Sequence, residues 1–127
     1  MDNFQENQER RSFERFRARL PLKIVSDDQE FSVETKDISC GGFNCRSKLF
    51  VPVLTKLEVS MSVPLIKQGR KISRRIDCQV VVVRTDPESE RESVAEYELG
   101  CFFIQIEEKD RKIISEYLQQ IFCASRN

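Results

Sequence analysis

Arginine is concentrated in one short segment near the N-terminus, "ERRSFERFRARL", which covers residues 9–20. Arg10 and Arg11 are adjacent, and Arg15 follows Arg11 at R-x-x-x-R spacing. Guanidinium groups are planar and permanently charged, stack on aromatic faces and pair bidentately with phosphate. Several of them on one segment can surround a ligand that carries both phosphates and planar bases. This chemistry points to a nucleotide rather than to a sugar or a metal ion.

A second candidate site is the sequence "DISCGG", residues 37–42. The carboxylate of Asp37, held at the end of a strand, can accept hydrogen bonds from the N–H edge of a guanine. Ser39 adds a small donor and acceptor, and strand alternation predicts it on the same face as Asp37. Gly41 and Gly42 permit a positive φ and carry no side chain, so a ligand can approach the backbone closely.

Composition limits the classes of function. The 127 residues are enough for one domain, and the 21 basic and 21 acidic side chains balance. Since there is no overall positive field, DNA or RNA is not an expected partner, and any anion site must be local. The sequence lacks histidine and C-x-x-C pairs, so we expect no metal, no cofactor and no catalytic residues. A membrane span and a signal peptide are not expected either, and we predict a cytoplasmic protein with reduced thiols.

The elements that must position these residues can be predicted from hydrophobic periodicity. Alternating apolar residues predict short strands between residues 20 and 106, and helical spacing predicts an amphipathic helix over 107–123. The predicted fold is all-β with one helix: six or so antiparallel strands in a closed β-barrel, capped at one open end by the C-terminal helix. Residues 1–9 are predicted to be a flexible tail. Phe13 and Phe16 are expected to anchor the arginine segment to the domain.

Two motifs in this order resemble one known family. R-x-x-x-R (Arg11, Arg15) before the first strand, followed by D-x-S-x-x-G (Asp37, Ser39, Gly42), is similar to a PilZ domain. These domains are bacterial receptors for the second messenger cyclic di-GMP. The resemblance covers roughly residues 9–123 and extends to "YELGCFFIQI" in the last predicted strand. It implies a six-stranded barrel that forms a single domain over residues 10–123, with the arginine segment at its mouth.

The resemblance also implies roles for the motif residues. Arg11 and Arg15 would engage guanine edges and phosphates, Asp37 and Ser39 would hydrogen-bond a guanine, and Gly42 would keep the surface clear. An arginine directly before the motif, here Arg10, implies a complex with two intercalated nucleotides. Residues 10–19 would then be a switch segment, ordered by the ligand and read by an unknown downstream protein partner.

Other interpretations of the same residues remain open. The fold can serve as a PilZ-like protein-interaction adaptor that binds no nucleotide. "DISCGG" can be a strand-ending turn that hydrogen-bonds its own backbone. The arginine segment can be a solvated face, or a basic amphipathic helix that lies on an anionic membrane. Cys40 and Cys45 lie near the proposed site and are either redox-sensitive or buried and inert.

Overall fold

The computed structural model describes residues 14–126, with the side chains of 125 and 126 left undescribed. This part of the chain forms seven strands and one helix. In chain order they are β1 (Phe16–Arg17), β2 (Pro21–Ser26), β3 (Gln29–Ile38), β4 (Gly42–Ser47), β5 (Lys56–Lys67), β6 (Arg70–Asp86), β7 (Tyr97–Gln105) and α1 (Glu108–Arg126). No helix within these residues is long and apolar enough to cross a lipid bilayer.

The strands β2 to β7 form a closed ring of antiparallel pairs. Hydrogen bonding runs from β3 through β2, β5, β6 and β7 to β4, and β4 pairs back with β3. The predicted all-β class with a six-stranded antiparallel barrel is therefore confirmed. The two-residue strand β1 was not predicted, and it continues the edge of β3 on which β2 lies. Two residues are too few to produce a pattern in the sequence.

Two tight hairpins fix the register of the longest strands. Asp27 and Asp28 join β2 to β3 with φ of 47° and 68°, and Gln68 and Gly69 join β5 to β6 with φ of 52° and 76°. Consecutive positive φ values define the type I′ turn, whose twist matches that of paired strands.

The β5–β6 hairpin continues past Pro64, a residue that is rare inside paired strands. Lys67 and Arg70 close the two-residue turn as a hydrogen-bonded pair. Alternation along the ladder then directs the nitrogen of Pro64 away from β6. On the other edge, β2 pairs with β5 only as far as Met61. Proline therefore removes no ladder hydrogen bond at this position.

The core fills the barrel and continues under the helix. The inward side of each long strand alternates with exposed residues, as in β2, where Leu22 and Ile24 are buried. Ile114, Tyr117 and Leu118 of α1 join the same cluster. The helix begins with Glu108 and Asp110 in its first turn, where carboxylates favour the helix dipole.

The helix lies at one end of the barrel, as predicted. The side-chain amide of Gln120 donates to the carbonyl oxygen of Ile66 at 3.0 Å and its oxygen accepts from the same residue's N–H at 3.0 Å. The guanidinium of Arg111 is 3.4 Å from the carbonyl oxygen of Cys40. These contacts join α1 to the end of β5 and to the β3–β4 connection, which carries the "DISCGG" sequence.

Candidate functional site

An irregularity in β3 decides which way Asp37 points. Thr35 pairs with Cys45 and Asp37 pairs with Asn44, so Lys36 is an extra residue between two successive pairs. Thr35 and Cys45 are buried in the interior, and Asn44, one residue before Cys45, lies on the outer face. Asp37 shares that face because it is opposite Asn44. Simple alternation from Thr35 would have turned Asp37 inward.

The two sequence motifs meet on this outer face. Nη1 of Arg15 lies 2.9 Å from Oδ1 of Asp37, and the two side chains are 40% and 20% exposed. Strand β1 places them together, because Phe16 pairs with Ile38 and Arg17 pairs with Asp37. An exposed ion pair contributes little to stability, about 0–1 kcal/mol. The ion pair therefore matters mainly because it holds the guanidinium of Arg15 beside the carboxylate of Asp37.

The segment around β1 is attached to the barrel by contacts of its own. The hydroxyl of Thr35 donates to the carbonyl oxygen of Ala18 and accepts from the N–H of Leu20 at 2.8 Å. The ring of Phe16 packs edge to face against Phe122 of α1, with 6.1 Å between the ring centroids. Phe16 thus anchors the segment as predicted, whereas Phe13 lies outside the described residues.

Asp37 begins a line of hydrogen-bonded side chains that crosses the outer face of four neighbouring strands. Asn44 donates to Oδ1 of Asp37 at 2.9 Å, and Arg84 donates to the amide oxygen of Asn44 at 3.1 Å. Arg84 also donates to Glu98 at 3.0 Å, and Lys36 lies 3.4 Å from the same carboxylate. We call these five residues the polar row. The hydrogen bond from Arg84, helped by Lys36, holds the pKa of Glu98 below its ordinary value despite partial burial.

Two glycines allow the strands beneath the polar row to pack. A Cβ on Gly100 would lie 3.0 Å from the amide oxygen of Asn44 and 3.3 Å from Cβ of Arg84, so glycine leaves room for that contact. A Cβ on Gly42 would lie 2.0 Å from the carbonyl oxygen of Cys101. The φ of Gly42 is not positive; among the described glycines, Gly69 has the positive φ. Gly42 is therefore required for packing between β4 and β7.

Ser39 has a structural role in the turn. It is 1% exposed, whereas strand alternation predicted it beside Asp37 on the accessible face. Its N–H donates to the carbonyl oxygen of Gly42 at 2.8 Å, and its hydroxyl accepts from the N–H of Gly41 at 3.1 Å. This is the local turn that the sequence left open as an alternative. The carbonyl oxygen of Gly41 in turn accepts from the N–H of Phe103 at 3.0 Å.

A groove of about 950 Å³ opens beside Asp37, and β3 forms one wall of it. Its lining is partly apolar and includes Phe31, Val33 and Leu49. Its lining includes five cations, which define what we call the cationic groove: Arg17, Arg19, Lys36, Arg46 and Lys48. In a protein whose formal charges cancel, this is a local excess of positive charge around a concave surface.

The two thiols near the site are buried or half-buried. Cys45 is fully buried, and a hydrogen bond to it, together with burial, raises the pKa of Cys101. Burial also raises the pKa of Cys40, outweighing the opposing charge of Arg111. Because the thiolate is the reactive form, the geometry favours the inert interpretation of Cys40 and Cys45.

The structure thus brings together part of the predicted site. Arg15 and Asp37 are in contact, and Ser39, Gly41 and Gly42 form the adjoining turn. Arg10 and Arg11 lie outside the described residues. Sequence reasoning missed Asn44, Arg84, Glu98 and Lys36. Asn44 carried a usable signal, because a polar residue between Phe43 and Cys45 in a short apolar strand must occupy the outer face.

A match to a known family model shows which protein family the chain belongs to. The PilZ domain family model matches residues 9–120. The chain belongs to the PilZ domain family. Among curated proteins, no sequence matches it.

Solved structures share the fold of this PilZ domain. The inhibitor of motility MotI/DgrA of Bacillus subtilis is 18% identical with a TM-score of 0.74, over 93% of this chain and 54% of its own. The MrkH–c-di-GMP complex of K. pneumonia is 22% identical with a TM-score of 0.60, over 89% of this chain and 52% of its own. A second MrkH structure, described as a c-di-GMP-dependent transcription regulatory factor, has a TM-score of 0.56 at 22% identity, over 86% and 49%. This chain therefore spans about half the length of these proteins.

Proposed function

We propose that this PilZ domain is a receptor for cyclic di-GMP and that Arg15 and Asp37 bind the nucleotide. Arg10 and Arg11 of the same segment are assigned to the ligand through the family motif. The observation that carries the proposal is the 2.9 Å contact between Arg15 and Asp37 on the outer face of the barrel. It joins the two motifs of the family in one site, and a structure with the same fold is a complex with c-di-GMP.

The carboxylate of Asp37 is arranged to accept further hydrogen bonds. Arg15 and Asn44 both donate to Oδ1. Within residues 14–126, no donor is bound to Oδ2. Asn44 is itself held by Arg84, so the carboxylate has a fixed orientation. A guanine presents adjacent N–H donors on one edge, and we propose that Oδ2 accepts from them. Charge-assisted bonds of this kind contribute about 1.5–3 kcal/mol each.

The contacts of β1 refine the proposed switch. We propose residues 1–9 as a tail and 10–123 as the domain, with residues 10–19 as the segment that responds to ligand. The contacts of Phe16, Ala18 and Leu20 already attach the later part of this segment to β3 and α1. Binding therefore avoids the ordering cost of those residues, about 1–2 kcal/mol each. The response to ligand is assigned to the arginines that precede β1, and their altered position would signal to a downstream protein.

We propose a regulator and not an enzyme. PilZ domains are ligand-binding regulators, and the sequence contains no histidine for acid–base chemistry. The five cysteines are free, which fits a reducing compartment and supports assignment to the cytoplasm. We propose no cofactor other than the bound nucleotide, and the two-nucleotide complex implied by Arg10 is part of the proposal.

Calorimetric titration of the full chain with cyclic di-GMP tests the proposal. We expect saturable binding, and a loss of at least about tenfold in affinity in Arg15→Ala and Asp37→Ala. Lys23→Ala is the matched control, because Lys23 makes an exposed ion pair with Glu30 at 3.1 Å elsewhere on the barrel. A molar ratio of two nucleotides per chain would support the role of Arg10.

The competing function predicts a different result. If the folded chain binds no cyclic di-GMP by calorimetry or by equilibrium dialysis, the receptor proposal is wrong and the adaptor interpretation replaces it. Equal losses in Lys23→Ala and Arg15→Ala would show that the ligand senses overall charge and not this site.

A further inference from the structure

The cationic groove contains positive charges that the family motifs do not use. Arg17, Arg19, Arg46 and Lys48 make no ion pair or side-chain hydrogen bond with any other residue in the range 14–126. Lys36 is the exception among the groove cations, since it contacts Glu98. A concave surface with several unneutralised cations focuses its field on whatever occupies the space. Such a surface favours an anionic ligand.

The acidic residues of the groove do not cancel this charge. Glu34, Asp37 and Glu96 also line it, so the cations outnumber the carboxylates five to three. Asp37 is paired with Arg15. Neither Glu34 nor Glu96 forms an ion pair with a cation in the described part of the chain. The excess positive charge therefore remains available to a ligand.

The cations stand on both sides of Asp37. Arg17 is opposite Asp37 on β1, and Asn44 is opposite it on β4. Arg46 lies two residues beyond Asn44 and is exposed on the same face. A ligand whose base edge reaches Asp37 would thus have guanidinium groups on either side of its remaining atoms.

We propose that the groove is the phosphate-binding half of the nucleotide site, in which Arg46 and Lys48 from one side and Arg17 and Arg19 from the other hold the phosphodiesters. This inference rests on the proposed cyclic di-GMP receptor function and adds residues outside both motifs to it. Guanidinium matches phosphate with two parallel hydrogen bonds, and the lysine adds a point charge. The volume of about 950 Å³ lies at the upper end of the range of ligand pockets, roughly 300–1,000 Å³.

The experiment compares two pairs of charge-removing substitutions in the full chain. Arg46→Gln with Lys48→Gln removes two cations from the groove, while Arg70→Gln with Lys71→Gln removes two from the distant β5–β6 hairpin. Because Arg46 and Lys48 contact no described partner, thermal unfolding of the groove variant is expected to match that of the wild type. Calorimetry with cyclic di-GMP at low and high salt measures the effect.

We expect the groove pair to raise the dissociation constant by about 10- to 100-fold at low salt, as for the loss of one or two charge-assisted contacts. The difference from wild type should shrink at high salt, since salt screens exposed charges. The hairpin pair should change the constant by less than about twofold.

The outcomes separate this inference from the function on which it rests. If the wild type binds and the groove pair binds equally well, the phosphate assignment is wrong and the receptor function stands. Equal losses in both pairs would also overturn it, because net charge alone would then explain the effect. If the wild type itself does not bind, the receptor function fails first, and the assignment fails with it.

Discussion

Two regions of this PilZ domain are rich in basic residues, and they differ in how those residues are arranged. The β5–β6 hairpin end carries five cations: Lys67, Arg70, Lys71, Arg74 and Arg75. Two of them are paired, Lys67 with Glu116 at 2.9 Å and Arg75 with Asp77 at 3.1 Å. The other three line neither the cationic groove nor the smaller cavity of about 390 Å³. In the groove, by contrast, five cations surround one space.

The difference shows that the number of basic residues says little about binding until their arrangement is known. At the hairpin end, exposed cations either pair with a nearby carboxylate, as Lys67 and Arg75 do, or face solvent. Salt screens such exposed charges over about 8–10 Å. In the groove the same kind of charge converges on a carboxylate whose position is fixed by Asn44. The strands that position the basic residues therefore matter more for binding than the number of those residues. The two regions also differ in the role of their glycines.

The largest expected difference between the regions is in the stability lost when a glycine of each is replaced by alanine. In Gly42→Ala the new Cβ would meet the carbonyl oxygen of Cys101 at 2.0 Å, so β4 or β7 must move. We expect a loss of roughly 3 kcal/mol or more in the free energy of unfolding. In Gly69→Ala there is open space, but the φ of 76° remains, which costs about 1–2 kcal/mol. Urea unfolding of both variants measures this.

A Gly42→Ala protein as stable as Gly69→Ala would contradict the close packing of β4 on β7. If Gly42→Ala is too unstable to purify, deuterium exchange of the wild type gives a second measurement. The β4–β7 amides are expected to exchange more slowly than those at the hairpin tip, because they lie deeper in the closed barrel.

A smaller loss in the free energy of unfolding is expected when a side-chain amide that bonds neighbouring side chains is removed. The two amides compared are those of Asn44 and Gln79. Asn44 is 8% exposed and joins Asp37 to Arg84. Asn44→Ala leaves both partners without that bond, and we expect a loss of about 1–2 kcal/mol in the free energy of unfolding. Gln79, which donates to Glu58 at 3.1 Å on an exposed face, is the control. Gln79→Ala should cost less than about 0.5 kcal/mol. Equal costs would mean that the polar row contributes no stability of its own.

The same comparison shows which parts of the structure can be predicted from the sequence. Alternation and helical spacing were sufficient to predict the barrel and its closing helix, because both depend on local periodicity. The position of Asp37 was not predictable in this way. The extra residue Lys36 reverses the direction of every later side chain in β3, and nothing in the local sequence marks it. The motif indicated Asp37 as a site residue, while the bulge places it on the accessible face.

The remaining parts of the site depend on contacts between distant strands. Arg84 and Glu98 follow ordinary strand patterns, and only the register of β6 on β7 brings them beside Asn44. The packing role of Gly42 was not predictable for the same reason. A glycine beside a candidate ligand site suggests backbone access, but the atom it makes room for belongs to β7.

The smallest expected difference is in how two carboxylates titrate. The pKa of Glu98 is held below its ordinary value first by the hydrogen bond from Arg84. The pKa of Asp77, on the β6 strand of the hairpin, is held low first by the hydroxyl of Ser60. We expect carboxyl NMR titration to show Arg84→Gln raising the pKa of Glu98 and leaving that of Asp77 unchanged. Ser60→Ala should do the reverse.

The sign of the linked effect on stability follows from the direction of the shift. A carboxyl group whose pKa is lowered on folding stabilises the protein above its unfolded pKa, and this is lost as pH falls through the folded value. For Glu98 the loss begins near the ordinary value of 4.5 and continues below it. The stability advantage of wild type over Glu98→Gln should therefore be present at neutral pH and disappear in acid. An advantage that persists at a pH well below that range would mean that Glu98 stabilises the barrel through packing and not through its charge.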